Sequence, residues 1–525
     1  MLLTLIIFLP LLGAGLVAFL PRADERLIRN SALVTALLDL ALCGVLVWVF
    51  DYGAEGFDRA LSESYRWVPA LGISYSLDVD GLSLVLVGLT GLLFAVSVLC
   101  SFTAITDRVK EYYFLLLLLQ TGILGTFLAS DLFLFFVFWE LMLVPMYFLI
   151  GVWGHEQRIY ASIKFFLYTA FGSALMLIAI LWVYFHVWDA TGAPSFALER
   201  FYHLKLSPAA QRWLFAAFFL AFAIKMPLFP FHTWLPYAHT EAPTAGSVIL
   251  AGILLKTGVY GFLRFALPMF PEGAAFFAPV IMVLALIGVV YGACVAMVQQ
   301  DVKRLVAYSS VSHMGMLLVG ILAFNVVGIE GGIIQMVNHG LSTGALFLIV
   351  GIIRERRHTH EVSEFGGLGA VMPVYAGYFG IFMLSSIGLP GLNGFVGEFM
   401  ILLGLMERSI LCTVVAATGV VLGACYMLWL YQRMMLGPIR VEANRGLRDV
   451  SGREIMTLLP LALFCFWIGL YPHPLQRTIE PSARAIVRVM NGYPSALSRA
   501  DPWNRSAQAE SAGSEPTRST QEAGK

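Results

Sequence analysis

Charge is what this chain has little of. Only 13% of its 525 residues are Asp, Glu, Lys or Arg, against 59% hydrophobic. A soluble protein carries about 25% charge, so a water-soluble globule is excluded and a polytopic membrane protein is expected. Lys plus Arg and Asp plus Glu balance at 33 each. There is no basic stripe, and no nucleic-acid partner is expected. The six cysteines (Cys43, Cys100, Cys294, Cys412, Cys425 and Cys465) form no C-x-x-C pair, and most fall inside apolar runs. That excludes a disulfide framework or an iron–sulfur site on this chain. No G-x-G-x-x-G follows a strand pattern, and no P-loop, flavin or haem motif occurs. His155, His358 and His360 stand in charged loops without a ligand-like grouping, so no metal is expected. The first apolar run, 2–20, lacks a basic leader and an A-x-A site, and reads as a retained helix.

What is present is a series of apolar runs of spanning length. They lie near 2–20, 31–50, 82–104, 112–129, 132–153, 162–187, 213–233, 244–267, 275–298, 305–324, 331–352, 370–407, 411–433 and 455–471. Fourteen helices place both termini on one side. With the N-terminus outside, sixteen Lys and Arg residues, among them Arg108, Lys110, Arg354 and Arg356, fall in cytoplasmic loops. The opposite loops hold six, or nine with Arg477, Arg484 and Arg488. The excess of positive charge therefore sets both termini on the external side. The acidic loop 51–80 fits that surface, and 491–525, rich in Ser, Ala, Glu and Gly, is expected to be disordered.

Two runs are interrupted, one by Pro227, Pro230 and Pro236 in KMPLFPFHTWLP, the other by Gly388, Pro390, Gly391, Gly394 and Gly397 in IGLPGLNGFVGEF. Paired broken helices are a mark of inverted-repeat transporters. The expected division is N-terminal helices over 1–111, repeats over 112–268 and 274–435, a loop and last helix over 436–475, and a polar tail over 476–525. Five helices per repeat make successive repeats enter the membrane from opposite sides.

Against this apolar background, six ionisable residues stand near mid-span: Glu140, Lys225, Lys256, His313, His339 and Glu398. Lys225 and Lys256 lie about eight to twelve residues, roughly 12–18 Å, from the nearest end of their runs. An ammonium at that depth costs at least about 2.5–3.5 kcal/mol. Neither lysine can easily snorkel to an interface. A packing ion pair is the plain alternative for Glu140, a hydrogen-bonded core imidazole for His313 and His339, and a helix cap for Glu398. Taken together, the six form a row of carboxylate, amine, amine, imidazole, imidazole and carboxylate at one depth. Such a row suits proton transfer along the membrane plane, since burial and neighbouring charge bring these groups toward neutral pH. Lys164 near a helix start, Lys303 and Arg304 as topology determinants, and His232 and His239 as polar caps of the broken helix carry less weight.

The stretch KMPLFPFHTWLPYAHTEAPTAGSVILAGILLKTGVYG, from Lys225 through Lys256, resembles the signature of the antiporter-like proton-channel family. WELMLVPMYFLIGVWG, DVKRLVAYSSVSHMG and NHGLSTGALFL match further segments, and the likeness covers about 80–435. Members include membrane-arm subunits of respiratory complex I, cation/proton antiporter subunits and energy-converting hydrogenase subunits. The resemblance implies an input pair of Glu140 and Lys225, a relay of Lys256, His313 and His339, and Glu398 as the terminal group. By the resemblance, Glu398, in GFVGEFMILLG, stands where the related L and N subunits of complex I carry lysine, and no long lateral helix like that of subunit L is expected after residue 471. The implied protein is an all-α membrane subunit that moves protons while quinone is reduced elsewhere. NADH, FMN, iron–sulfur clusters and quinone would bind partner subunits. Its partners would be other membrane-arm subunits, including related antiporter-like ones, and the lipid bilayer. A cation/proton antiporter subunit, a hydrogenase-linked subunit and a scaffold with packing charges stay open as alternatives.

Overall fold

The computed structural model describes residues 1–52, 61–202 and 204–492. It is a bundle of helices: α1 (Leu2–Phe19), α2 (Glu25–Val49), α3 (Gly81–Ala104), α4 (Val109–Leu128), α5 (Leu132–Trp153) and α6 (Arg158–Thr191). There follow α7 (Pro208–Lys225), α8 (Leu235–Glu241), α9 (Thr244–Met269), α10 (Pro271–Met297), α11 (Val302–Ile321) and α12 (Val326–Arg357). The last are α13 (Pro373–Ser386), α14 (Asn393–Met406), α15 (Ile410–Met435), α16 (Gly452–Leu470) and α17 (His473–Asn491). Among the described residues, 12 helices are long and apolar enough to cross a membrane. The two broken pairs, α7 with α8 and α13 with α14, occupy the remaining positions read from the sequence. The protein is a multi-pass membrane protein.

Burial grades outward. α9 and α12 are buried along their whole apolar windows, whereas α2, α6, α15 and α16 bury less than half of theirs. Exposed Leu, Phe and Trp on those outer helices, such as Leu167, Phe171 and Trp48, meet lipid and cost nothing there. Polar groups that lipid would not tolerate, Lys256 and His339 among them, sit on α9 and α12 at the centre.

Two elements were not foreseen. Within the expected loop 51–80, β1 (Leu61–Val68) and β2 (Ile73–Val79) pair antiparallel, with Leu61 opposite Val79 and Tyr65 opposite Tyr75. The signal was there: Ile73, Tyr75, Leu77 and Val79 alternate with polar residues. Glu63 on β1 accepts from the Leu3 and Thr4 backbone N–H groups at 2.8 and 3.2 Å, anchoring the start of α1. In the segment read as a polar tail, α17 turns Leu475, Ile479, Ala483, Ile486 and Met490 inward at helical spacing, with Arg477, Arg484 and Arg488 outward. The run was missed because its apolar face is too sparse to register as a span. The disorder expected over 491–525 falls, from 493 onward, outside the described residues.

Candidate proton-relay site

The site begins where the chain cannot stay helical. α7 stops at Lys225 because Pro227 follows: a proline disfavours helical backbone before it and has no N–H to donate. The freed carbonyls find other donors. Trp234 Nε1 donates to the Ile224 oxygen at 2.9 Å, and the Leu228 N–H to the Ala223 oxygen at 2.9 Å. Lys225 is thereby fixed at a helix C-terminus, the negative end of its dipole. It is 3% exposed, and its Nζ lies 5.1 Å from the Trp139 ring centroid and 5.8 Å from that of Phe165. The carboxylate acting on it is Glu140, half-buried on α5. α5 is interrupted at Met142, just past Glu140. Pro145 lacks the N–H that would have reached the Leu141 carbonyl.

Lys256 sits on α9 between two π-helical stretches, Leu250–Leu254 and Phe262–Ala266. Single-turn widenings of this kind often mark functional positions in helices. Its side chain is fully buried, donates to the Ala251 carbonyl, and places Nζ 2.6 Å from His339 Nδ1 on α12. The His339 and His313 rings stand 5.8 Å apart, centroid to centroid. His313 Nδ1, on α11, is 3.3 Å from Glu398 Oε1 on α14, and its Nε2 is 3.4 Å from Ser386 Oγ. Glu398 is 5% exposed and also accepts from Gln335 Nε2 at 3.3 Å. It reaches this place across the second break. Gly388 there has φ +73°, and a Cβ on it would come within 2.8 Å of Glu398 Oε2, so only glycine admits both the turn and the carboxylate.

Four of the six residues picked from the sequence are therefore one connected chain, Lys256–His339–His313–Glu398, built by α9, α12, α11 and α14. The other two, Glu140 on α5 and Lys225 on α7, lie apart from that chain, close enough for the carboxylate's charge to act on the ammonium but, among the described residues, with no hydrogen bond or ion pair between them. Among the described residues no hydrogen bond joins Lys225 to Lys256, yet their helices touch. A Cβ on Gly258 would meet the Met226 nitrogen and Phe222 oxygen at 2.9 Å and Lys225 Cβ at 3.1 Å. Gly258→Ala is expected to cost about 1–3 kcal/mol by overpacking. It should lower the apparent melting temperature of the purified complex while leaving every ionisable group in place.

Several polar residues escaped the sequence reading. Gln335, Asn338 and Asn393 run on from Glu398 in series: Gln335 donates to the carboxylate, and Asn338 Nδ2 donates to Gln335 Oε1 at 3.2 Å and to the Asn393 backbone carbonyl at 2.7 Å. Uncharged amides in an apolar run gave a weak signal. Lys303, which reads along the sequence as a topology determinant, is 3% exposed and donates to the Ala242 and Thr240 carbonyls at the C-terminal end of α8 at 2.5 and 3.3 Å. His239, taken as a cap, is fully buried and stacks on Phe347 at 4.5 Å. Asp39 is fully buried on α2 and accepts from Gln120 Nε2 at 2.6 Å. A carboxylate inside LLDLALC was legible and was passed over. Arg264, in GFLRFALP, pairs with Asp80 at 2.7 Å with both side chains under 5% exposed. The loop histidines His155 and His360 have ring centroids 6.2 Å apart, with His360 Nδ1 3.7 Å from Asp301 Oδ2.

Comparison with known proteins defines the class first. The profile of the family described as "NADH:quinone oxidoreductase/Mrp antiporter, TM" matches residues 129–423, and the chain belongs to that family. The branch follows from the relatives. NADH-quinone oxidoreductase subunit M of Pseudomonas aeruginosa is 42% identical over 512 residues, covering 95% of this chain and 99% of that one. NADH-ubiquinone oxidoreductase chain 4 of Chondrus crispus is 40% identical over 484 residues, 92% of this chain and 96% of that one. A chain in the structure of respiratory complex I from Thermus thermophilus superposes with a TM-score of 0.84 at 32% identity, covering 93% of this chain and all of that one. Within the family, the chain belongs with subunit M, also called chain 4.

Proposed function

We propose that this chain is a proton-translocating membrane-arm subunit of NADH:quinone oxidoreductase. In this reading protons pass along Glu140, Lys225, Lys256, His339, His313 and Glu398, driven by quinone reduction in other subunits. The observation that carries the reading is the buried chain from Lys256 to Glu398. Two heteroatom contacts, 2.6 and 3.3 Å long, flank one imidazole pair. Imidazoles exchange protons without extreme tuning, and one water between the two rings would complete the path. Glu140 and Lys225 form the loading pair. A carboxylate near the ammonium stabilises its charged form, and drawing the carboxylate away releases the proton. Water at mid-membrane would be held by backbone polar groups left over at the broken ends of α7 and α13.

The two broken helices support a division into two five-helix units over 112–268 and 274–435. The Lys and Arg bias supports termini on the external side of a bacterial inner membrane. NADH, FMN, iron–sulfur clusters and quinone are assigned to partner subunits, with related antiporter-like subunits as neighbours.

The test is alanine at Lys225 or at Glu140 in the assembled enzyme. Proton pumping is expected to be lost and NADH:quinone turnover slowed, with the complex still assembled. Normal pumping by a fully assembled Lys225→Ala enzyme would refute the relay. Loss of assembly in place of coupling would favour the scaffold reading, and sodium-dependent proton flux without NADH the antiporter one.

A further inference from the structure

A groove of about 800 Å³ opens on the lipid-facing side of the bundle, between α2, α3, α12 and α16, and ends under the first turns of α17. It takes no part in the relay. Its walls are apolar: Leu40 and Val47 from α2, Val85 and Leu92 from α3, Phe464 and Trp467 from α16. Its mouth is not. Tyr52, Tyr471, His473 and Arg477 gather there, just beyond the ends of α2 and α16 and at the start of α17, and so at one membrane face.

The dimensions say what fits. Leu92 is eleven residues past the start of α3 at Gly81, and Leu40 nine before the end of α2 at Val49. At 1.5 Å per residue the groove reaches about 14–17 Å inward. That is one leaflet, half of a hydrocarbon core about 30 Å thick. A helix from a neighbouring subunit would need a groove of the full thickness. The charge at the mouth narrows the choice further. Arg477 is exposed and makes no hydrogen bond or ion pair among the described residues, and exposed His473 lies one turn before it. A guanidinium at headgroup level suits a phosphate bidentately. The neutral head of a quinone has no such need.

We propose that this groove is a binding site for one anionic phospholipid. Its phosphate rests on Arg477 beside His473, and its acyl chains lie along α2, α3 and α16. The inner wall includes Val337 and Leu341, which flank His339 in sequence on α12. Leu89, another lining residue, approaches α12 so closely that its Cδ2 would be 2.7 Å from a Cβ on Gly340. The bound chains would close the lipid-facing side of the layer that separates the relay from the bilayer.

Two glycines allow the test. Gly44 and Gly88 line the groove, and a Cβ on either meets nothing within 4 Å, so a large side chain there fills the space without a clash at its root. The intact enzyme is reconstituted with phosphatidylglycerol or phosphatidylcholine carrying a photoreactive group on an acyl chain, and labelled peptides are mapped. Peptides 40–47 and 84–92 should be labelled more by phosphatidylglycerol than by phosphatidylcholine. Gly88→Trp should abolish that labelling and leave unchanged the labelling of Leu167 and Phe171 on the exposed face of α6. Arg477→Gln, at the exposed rim, should equalise the two lipids, and it serves if Gly88→Trp fails to assemble. Unchanged groove labelling in Gly88→Trp overturns the proposal. So does equal labelling by both lipids in the unsubstituted enzyme, or displacement of the probe by a quinone. None of these readouts depends on pumping, so the site and the relay fail or stand separately.

Discussion

Lys256→Met is expected to abolish proton pumping in an assembled enzyme. Methionine keeps the length and the apolar contacts of the lysine stem, so the helix packing of α9 survives. What disappears is the titratable amine that meets His339 Nδ1 from α9. A positioned proton donor is typically worth about 10²–10⁴-fold in rate. Pumping at or below about one hundredth of normal is therefore expected, measured as acidification in reconstituted vesicles with NADH and quinone. His313→Gln and Glu398→Gln should act in the same direction, because each removes a titratable step from the same line. If Lys256→Met pumped normally while Lys225→Ala did not, the path would have to leave Lys225 by another route.

The second large effect is structural. Arg264→Met should destabilise the protein by about 3–5 kcal/mol, since removing one partner leaves the Asp80 carboxylate charged and buried. Asp80 is held on several sides. Its Oδ1 accepts from the Ser83 N–H at 2.9 Å as the N-cap of α3, and its Oδ2 meets Arg264 Nη1 and, at 3.2 Å, Ser482 Oγ of α17. The pair thus fastens the start of α3, the second π-helical stretch of α9 and the C-terminal helix together. The double variant Asp80→Asn/Arg264→Met should recover most of the loss. Asparagine still caps α3 and carries no charge to strand. Assembly yield and thermal unfolding of the complex measure both variants, and a double variant as unstable as the single one would show that the charge is not the cause.

Membrane character, the two helix breaks and the identity of the six central ionisable residues could all be read along the chain. Each depends on a local property: the length of an apolar run, a proline where a helix should continue, a charge where lipid should be. The hairpin at 61–79 escaped because an acidic, weakly apolar stretch looked like loop, although its alternation was visible. α17 escaped because an amphipathic helix lying over a bundle lacks the continuous run of a spanning one. The amides around Glu398 escaped because Gln335, Asn338 and Asn393 carry no charge and acquire a role only when α12 and the second break meet.

By itself, the sequence determined that this is a membrane protein with charge stranded at mid-depth, because the energetic cost of each buried ion is a property of one residue in one helix. Only the tertiary structure decided that Lys256, His339, His313 and Glu398 form one line while Glu140 and Lys225 stand apart as a pair. Those contacts join residues 83 and 85 positions apart in sequence, Lys256 with His339 and His313 with Glu398, and hydrogen-bond distances are set by how helices pack rather than by spacing along the chain. The same packing opened the leaflet-deep groove, which no stretch of the sequence encodes alone.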